Sequence, residues 1–326
     1  MALRESVLKA LKAGNGEWVS GETLSQTLNV SRTAVWKQVQ NLSTEGYKIE
    51  SSPKKGYRIS NPVDLLSPEE VKPGLLTEVF GQDNYFYYRQ TDSTNKRARA
   101  LANDGYPEGT VIVAEEQTDG RGRRGRSWYS PSNQGIYMSI ILRPAFPLRQ
   151  ISRLSLLAGV ASAEALKDEL GLQPSIKWPN DILINGRKIT GILSEAVTDM
   201  DSIEYIVLGI GININNLPQE FPEDFRTPPT SVLAENGQPG SRVKLLRKLL
   251  LSLERQYNFL EDDNFTPILE KARRLSMTLG QKVYFDEGSE VISGEAIDLD
   301  DKGYLLVRDY KGTIHTVMSG EISLLS

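Results

Sequence analysis

The chain contains no cysteine and a single histidine, His315, among 326 residues. The first absence excludes disulfides, thiol catalysis and thiolate metal sites, and the second argues against a Ser-His-Asp triad or a histidine-rich metal site. No apolar run approaches the ~18 residues needed to span a membrane. The longest, around Leu156–Ala163, is composed of small, helix-forming residues. The opening stretch MALRESVLKALK carries acidic and basic residues where a signal peptide needs an apolar core, so a cytoplasmic location is expected. What chemistry remains must run on Lys, Arg, carboxylates, amides and backbone.

What is present fits a globular protein of two or three domains. Hydrophobic residues make up 39% and charged residues 25%, close to ordinary values. The net charge of −4 hides an asymmetry, because residues 1–60 hold nine Lys/Arg against five Asp/Glu while the rest is acidic. A basic end on an acidic body suggests that the first segment meets an anion, nucleic acid being the common one.

Composition shifts divide the chain at 1–62, 63–275 and 276–326. A short linker with Pro62, Pro68 and Pro73 follows the first block. The second alternates apolar strand-like runs with two helical stretches. The third has four short β-rich runs separated by turns at Glu287-Gly288, Lys302-Gly303 and Lys311-Gly312, which reads as a small barrel or curled sheet.

In the first block Leu3, Val7 and Leu11 fall on one helical face. Ser20 can cap a second helix carrying Leu24 and Leu28. After a turn at Asn29-Val30, Ser31 can cap a third, with Val35, Val39 and Leu42 facing inward and Gly46 as its stop. The outward face of this third helix offers Arg32, Thr33, Trp36, Lys37 and Gln40. A hairpin follows, with Lys54 and Lys55 at its tip. The pattern predicts a winged helix-turn-helix that contacts DNA through Ser31, Arg32, Thr33, Trp36, Lys37, Lys54 and Lys55. The alternative is a three-helix docking module.

The segment Gly120–Arg126 places four arginines and three glycines in seven positions at the end of the strand Thr110–Ala114. Glycines let the backbone approach a ligand, and arginine forks match carboxylates and phosphates. The spacing is neither a Walker A loop nor a dinucleotide fingerprint. An anion-binding loop is the favoured reading, with a solvated basic turn or an RGG-like nucleic-acid contact as alternatives. The glycines are expected to make the ligand-free loop mobile. Three further features converge on it. Lys177-Trp178-Pro179-Asn180-Asp181 ends a strand, and Lys188 opens the returning strand of a hairpin turned at Asn185-Gly186. Beyond these, Val207–Asn213 is an apolar strand with two glycines that admits a flat ligand. Lys188 taken alone reads as an exposed strand lysine. A helix opening at Asp92-Ser93-Thr94-Asn95 supplies free amides, with Ser93 and Thr94 as simple caps in addition to any binding role.

TDSTN, QTDGRGRRGRSW, KWPNDI, GRKITGIL and GIGIN, in this order, resemble the biotin–protein ligases. With the amino-terminal helix-turn-helix, the whole chain is similar to their bifunctional repressor form. The resemblance implies an α+β multidomain chain: a winged helix-turn-helix, a central mixed α/β ligase domain like that of class II aminoacyl-tRNA synthetases, and an SH3-like carboxy-terminal β-barrel. It implies ATP-dependent, Mg²⁺-requiring formation of biotinyl-5′-AMP and transfer of biotin to a lysine of the biotin carboxyl carrier protein of acetyl-CoA carboxylase. It further implies an adenylate-bound homodimer that represses biotin synthesis genes on operator DNA. By the resemblance, Ser93, Thr94, Asn95, Gln117, Arg121, Gly122, Arg123 and Lys188 bind biotin. Arg121, Arg123, Trp128, Lys177, Asn180, Asp181 and Asn213 surround the adenylate, and Arg123 and Lys188 act catalytically. No dedicated metal ligands are assigned. The alternatives are a lipoate–protein ligase and a non-catalytic ligand-sensing repressor. Asp119 departs from the small residue usual before the arginine loop and is expected to point to solvent.

Overall fold

The computed structural model describes residues 3–59, 63–147, 150–199, 202–223, 225–287, 290–318 and 322–324. It divides into two compact units, Met1–Leu65 and Leu66–Ser326. The boundary expected at Asn61-Pro62 and the turn glycine Gly288 lie outside the described residues.

The first unit holds α1 (Leu3–Ala13), α2 (Gly21–Thr27) and α3 (Arg32–Thr44), then a hairpin of β1 (Ile49–Ser52) and β2 (Gly56–Ile59). Ser20 and Ser31 cap α2 and α3, their side chains accepting from Glu22 N and Ala34 N. Val7, Leu11, Leu24, Val35, Val39 and Leu42 close a common core. Gly46 ends α3 with a φ of 102°, a left-handed turn open to glycine.

The second unit begins with α4 (Pro68–Val71) and is built on a seven-stranded mixed sheet. In chain order its elements are β3 (Tyr85–Tyr88), α5 (Thr94–Asn103), β4 (Val111–Ala114), β5 (Gly135–Leu142), α6 (Ile151–Leu170), β6 (Ser175–Lys177), β7 (Asp181–Ile184), β8 (Arg187–Asp199) and β9 (Ser202–Asn213). The strand order is β3-β4-β5-β9-β8-β7-β6, parallel only between β3 and β4. The helices α7 (Val232–Asn236), α8 (Arg242–Glu261) and α9 (Thr266–Leu275) follow. This block therefore carries more helix than the two stretches expected.

The two faces of this sheet differ. Ile136, Met138, Ile140 and Leu142 of β5 join the core formed with α6, α8 and α9. The alternate positions Ser139 and Ile141 face α5, whose Ala98 and Ala102 pack on Ile112, Ile141 and Val207. On that second face Ser139 pairs with Gly209, and Tyr137 and Gly191 both pair with Gly211. Small residues there leave a depression in the sheet.

The last segment forms a β-rich sheet of β10 (Lys282–Glu287), β11 (Glu290–Leu299), β12 (Leu305–Asp309), β13 (Ile314–Val317) and β14 (Ser323–Leu324), ordered β13-β12-β11-β10-β14. A fifth, two-residue strand thus joins the four expected runs. Trp178 Nε1 donates to Gly303 O at 3.1 Å and Arg273 pairs with Asp298, so this sheet is fastened to the strands and helices before it.

Arg242 and Glu115 form an ion pair at 2.5 Å with each side chain 1% exposed. Replacing Arg242 by Ala strands a buried carboxylate, which should cost about 3–5 kcal/mol of unfolding free energy. A urea titration measures it, and a loss under about 1 kcal/mol would contradict a buried, mutually dependent pair.

Candidate active site

A cavity of about 680 Å³ lies over the glycine depression. Every biotin- and adenylate-site candidate lines it: Ser93, Thr94 and Asn95; Gln117; Arg121, Gly122 and Arg123; Trp128; Lys177, Asn180 and Asp181; Lys188; and Asn213. They come from α5, the arginine loop, the β6–β7 turn, β8 and β9, so the sheet gathers residues 120 positions apart.

Ser93 stands at the amino end of α5, but its side chain makes no capping bond. Gln117 does that work, its Oε1 accepting from Thr94 N at 2.8 Å while its Nε2 donates to Ser130 Oγ at 2.9 Å. The cap expected of Ser93 and Thr94 is thus supplied from the neighbouring loop, which frees Ser93 within the cavity wall. Asn95 is held on both sides, by Ser139 Oγ at 2.6 Å and Glu195 Oε2 at 2.8 Å. A Cβ on Gly209 would collide with its amide.

The arginine loop is a closed miniature hairpin rather than an open coil. Trp128 N donates to Gly120 O at 2.8 Å and Gly122 N to Arg126 O at 2.7 Å. Its tip is a 3-10 turn in which Arg124 takes a φ of 56°. Arg123 Nη1 donates to Asn180 Oδ1 at 3.1 Å. Asp119 is exposed, as expected, yet it is also paired, 2.6 Å from Lys96 and 3.8 Å from Arg121. The hydrogen bond from Lys96 holds the Asp119 carboxyl below the usual carboxylate range.

Lys188 departs from the exposed strand lysine. The pairing of β7 with β8 skips Ile189, a bulge that re-aims the strand at this point. The ammonium sits 2.7 Å from Asp181 Oδ1 and 5.5 Å from the centre of the Trp128 ring. Lys177 Nζ donates to Thr227 Oγ1 at 3.3 Å, and Asn213 Nδ2 to Thr230 O at 3.0 Å.

The flat group lying on the strand glycines is Trp128 itself. A Cβ on Gly191 would come within 2.7 Å of its ring, and one on Gly211 would strike the indole nitrogen side. Trp128 Nε1 is buried with no hydrogen-bond partner. The sequence reading also missed part of the wall: Phe221, Phe225, Arg226 and Pro229 close one side, and Ile322 reaches in from the last sheet. Two phenylalanines and three prolines in an otherwise polar stretch were the available signal. Among the described residues no group of three or more His, Asp or Glu could hold a metal ion.

In the first unit the DNA candidates Ser31, Arg32, Thr33, Trp36 and Lys37 are exposed on α3 or its cap, and Lys54 and Lys55 are exposed at the hairpin tip. Arg32 is paired with Glu22. Lys55 and Arg58 lie 5.7 and 5.0 Å from the centre of the Trp18 ring, which steadies the wing.

Gly211→Ala should expel the Trp128 indole from the strand surface. Tryptophan emission should then shift to the red relative to the parent, with no such shift in a Trp128→Phe background. Unchanged emission in the parent background would contradict this packing.

Comparison with known proteins agrees with the geometry. The Biotin/lipoate A/B protein ligase family profile matches residues 87–213, an HTH domain profile residues 3–58, and a biotin protein ligase C-terminal domain profile residues 278–325. A bifunctional ligase/repressor BirA of Bacillus subtilis is 38% identical over 99% of this chain and 98% of its own. The Escherichia coli BirA is 32% identical over 96% of this chain and 94% of its own. The structure of a biotin protein ligase from Aquifex aeolicus in complex with biotin and ATP has a TM-score of 0.64 and 31% identity, covering 74% of this chain and 99% of that one. Shared order, domain make-up and full-length coverage lead to one conclusion: the chain belongs to the biotin protein ligases, in the bifunctional ligase/repressor group that carries an amino-terminal helix-turn-helix domain.

Proposed function

We propose that this chain activates biotin with ATP to biotinyl-5′-AMP, releasing pyrophosphate, and then passes biotin to one lysine of a biotin carboxyl carrier protein, releasing AMP. The supporting observation is the polarity of a single cavity. Ser93, Thr94, Asn95 and Gln117 bring hydroxyl and amide acceptors together at the amino end of α5, while Lys188, Arg123, Arg121 and Lys177 add cations to the lining of the same cavity. Biotin has the matching polarity, N–H donors on its ureido ring and a carboxylate on its tail. Lipoate has no ring donor for the acceptor end.

In this reading Ser93, Thr94, Asn95 and Gln117 hold the ureido ring, and Arg121, Gly122 and Arg123 close over the acyl adenylate. Lys188 exchanges Asp181 for the biotin carboxylate and then the phosphate. Trp128 leaves the glycines to stack on adenine, and Lys177, Asn180, Asp181 and Asn213 surround the nucleotide. Magnesium enters with ATP as part of the substrate. Both reacting groups are anions, so positioned cations and proximity carry the rate and no protein nucleophile is required. The carboxy-terminal sheet is taken as SH3-like, with domains at 1–62, 63–275 and 276–326, and the protein as cytoplasmic. The first unit would bind operator DNA as half of an adenylate-dependent homodimer, since one winged helix reads only one half-site.

Incubation with biotin, ATP, Mg²⁺ and a carrier fragment should release pyrophosphate and label one carrier lysine. Lys188→Ala should slow adenylate formation about tenfold to a hundredfold, the worth of one charge-assisted contact. Folded protein that releases no biotin-dependent pyrophosphate would leave only a ligand-sensing repressor.

A biotin-promoter duplex titrated across a salt series should bind more tightly with biotin and ATP present, and more weakly as salt rises. Equal, salt-insensitive binding in both states would reduce the first unit to a docking module.

A further inference from the structure

A short parallel contact holds Lys188 beyond the end of the β8–β9 ladder. That ladder runs from Asp199–Ser202 to Thr190–Ile212, and Lys188 lies past its last pair. Residues 228–230 take over there, running parallel to β8. Lys188 N donates to Pro228 O at 2.8 Å, and Thr230 N donates to Lys188 O at 2.8 Å. The peptide groups on both sides of the Lys188 Cα are thereby fixed. The same stretch meets two other wall residues, Asn213 Nδ2 donating to Thr230 O and Lys177 Nζ to Thr227 Oγ1. Those two reach it through side-chain tips, whereas Lys188 is held by its backbone.

This brace is itself held by one carboxylate. Glu235, in α7, has a side chain only 4% exposed and does not line the cavity. Thr230 Oγ1 donates to its Oε1 at 2.5 Å, and Arg187 Nη2 lies 2.9 Å from the same oxygen. Asn185 Nδ2 donates to its Oε2 at 3.0 Å. The three donors come from the brace, from the residue before Lys188, and from the turn that joins β7 to β8. A carboxylate accepts from all three and has no proton of its own to place. Thr230 is buried, and Ser231, the cap of α7, follows it directly, so the link from helix to brace is short.

We propose that Glu235 is a positioning residue for Lys188: it clamps residues 228–230 against β8 and so fixes the point from which the ammonium reaches the substrate anions. The proposal deepens the role given to Lys188 and rests on it. A lysine carries its charge on a flexible four-carbon stem, so it is aimed only as well as its root is held. The ladder to β7 holds that root poorly, because the bulge at Ile189 interrupts it beside Lys188. Asp181, 2.7 Å from the ammonium, orients the tip in the ligand-free protein. In the proposed reaction that contact is given up to the substrate, and the clamp at the root is what persists.

A double-mutant cycle on adenylate formation by the full chain, at saturating biotin and ATP, tests this. Glu235→Ala should slow the parent about fivefold to tenfold, since a misplacement of about 1 Å can cost up to about 100-fold. In a Lys188→Ala background the same substitution should change the rate less than about twofold, because no ammonium is left to aim. Glu235→Gln keeps an oxygen for Thr230 and Arg187 and should recover most of the rate. Thr230→Val frees the brace but keeps the contacts of Glu235 with Arg187 and Asn185. It should show a loss of the same Lys188-dependent kind, and it serves where Glu235→Ala folds poorly. Equal fold-losses with and without Lys188 overturn the proposal, since they mark a general structural role. So does an unchanged rate in both Glu235→Ala and Thr230→Val. Parent turnover in Lys188→Ala alone overturns the role given to Lys188 itself, a result distinct from either.

Discussion

The buried pair of Arg242 and Glu115 holds together the part of the molecule on which everything else depends. Glu115 stands at the end of β4 and Gly135 at the start of β5, and between them lies the whole arginine loop. Arg242, at the first position of α8, binds the carboxylate of one and the carbonyl of the other at 3.3 Å. Asn133 N closes the same neck on Glu115 O. The second oxygen of Glu115 accepts from Leu66 N, tying in the first residue of the unit. Desolvating two charges is costly, and the pair is worthwhile here only because its hydrogen bonds are filled and because removing either partner is worse. A loop with four arginines needs such an anchor, since its own charges favour solvent.

The cations around the cavity are balanced before any ligand arrives. Lys188 rests on Asp181, Arg123 on the Asn180 amide, and Arg121 shares Asp119 with Lys96. Left uncompensated, clustered like charges would repel within a space of limited hydration. In the proposed reaction an incoming anion would exchange partners with these internal carboxylates and amides instead of meeting bare charge. Part of the attraction would be spent on that exchange, which would temper ground-state binding and leave more of it for the charge that develops in the reaction.

The helix-turn-helix was legible in the sequence because capping serines, apolar spacing and a glycine stop act over a few residues each. The place of the arginine loop at a cavity was equally legible, since four arginines and three glycines at a strand end have few other uses. Other features depend on the tertiary fold and were not. That Gln117 rather than Ser93 caps α5 follows from the position of a loop 23 residues away. That the glycines of β9 accommodate Trp128 and Asn95 required knowing that β5, β8 and β9 place Ser139, Gly191, Gly209 and Gly211 on one face. The wall at Phe221 and Phe225 was hidden by lying in an irregular segment.

A floor made of glycine is a floor made of backbone. Its shape is set by the pleat and hydrogen-bond register of three strands, and substitution there can only fill space, never enlarge it or tune its chemistry. Altering what such a site accepts is therefore a matter of its walls, where Thr94, Gln117, Phe221 and Phe225 can change size or polarity without disturbing a strand. Attempts to redesign the ligand preference of this chain should leave the sheet untouched and work from the rim inward.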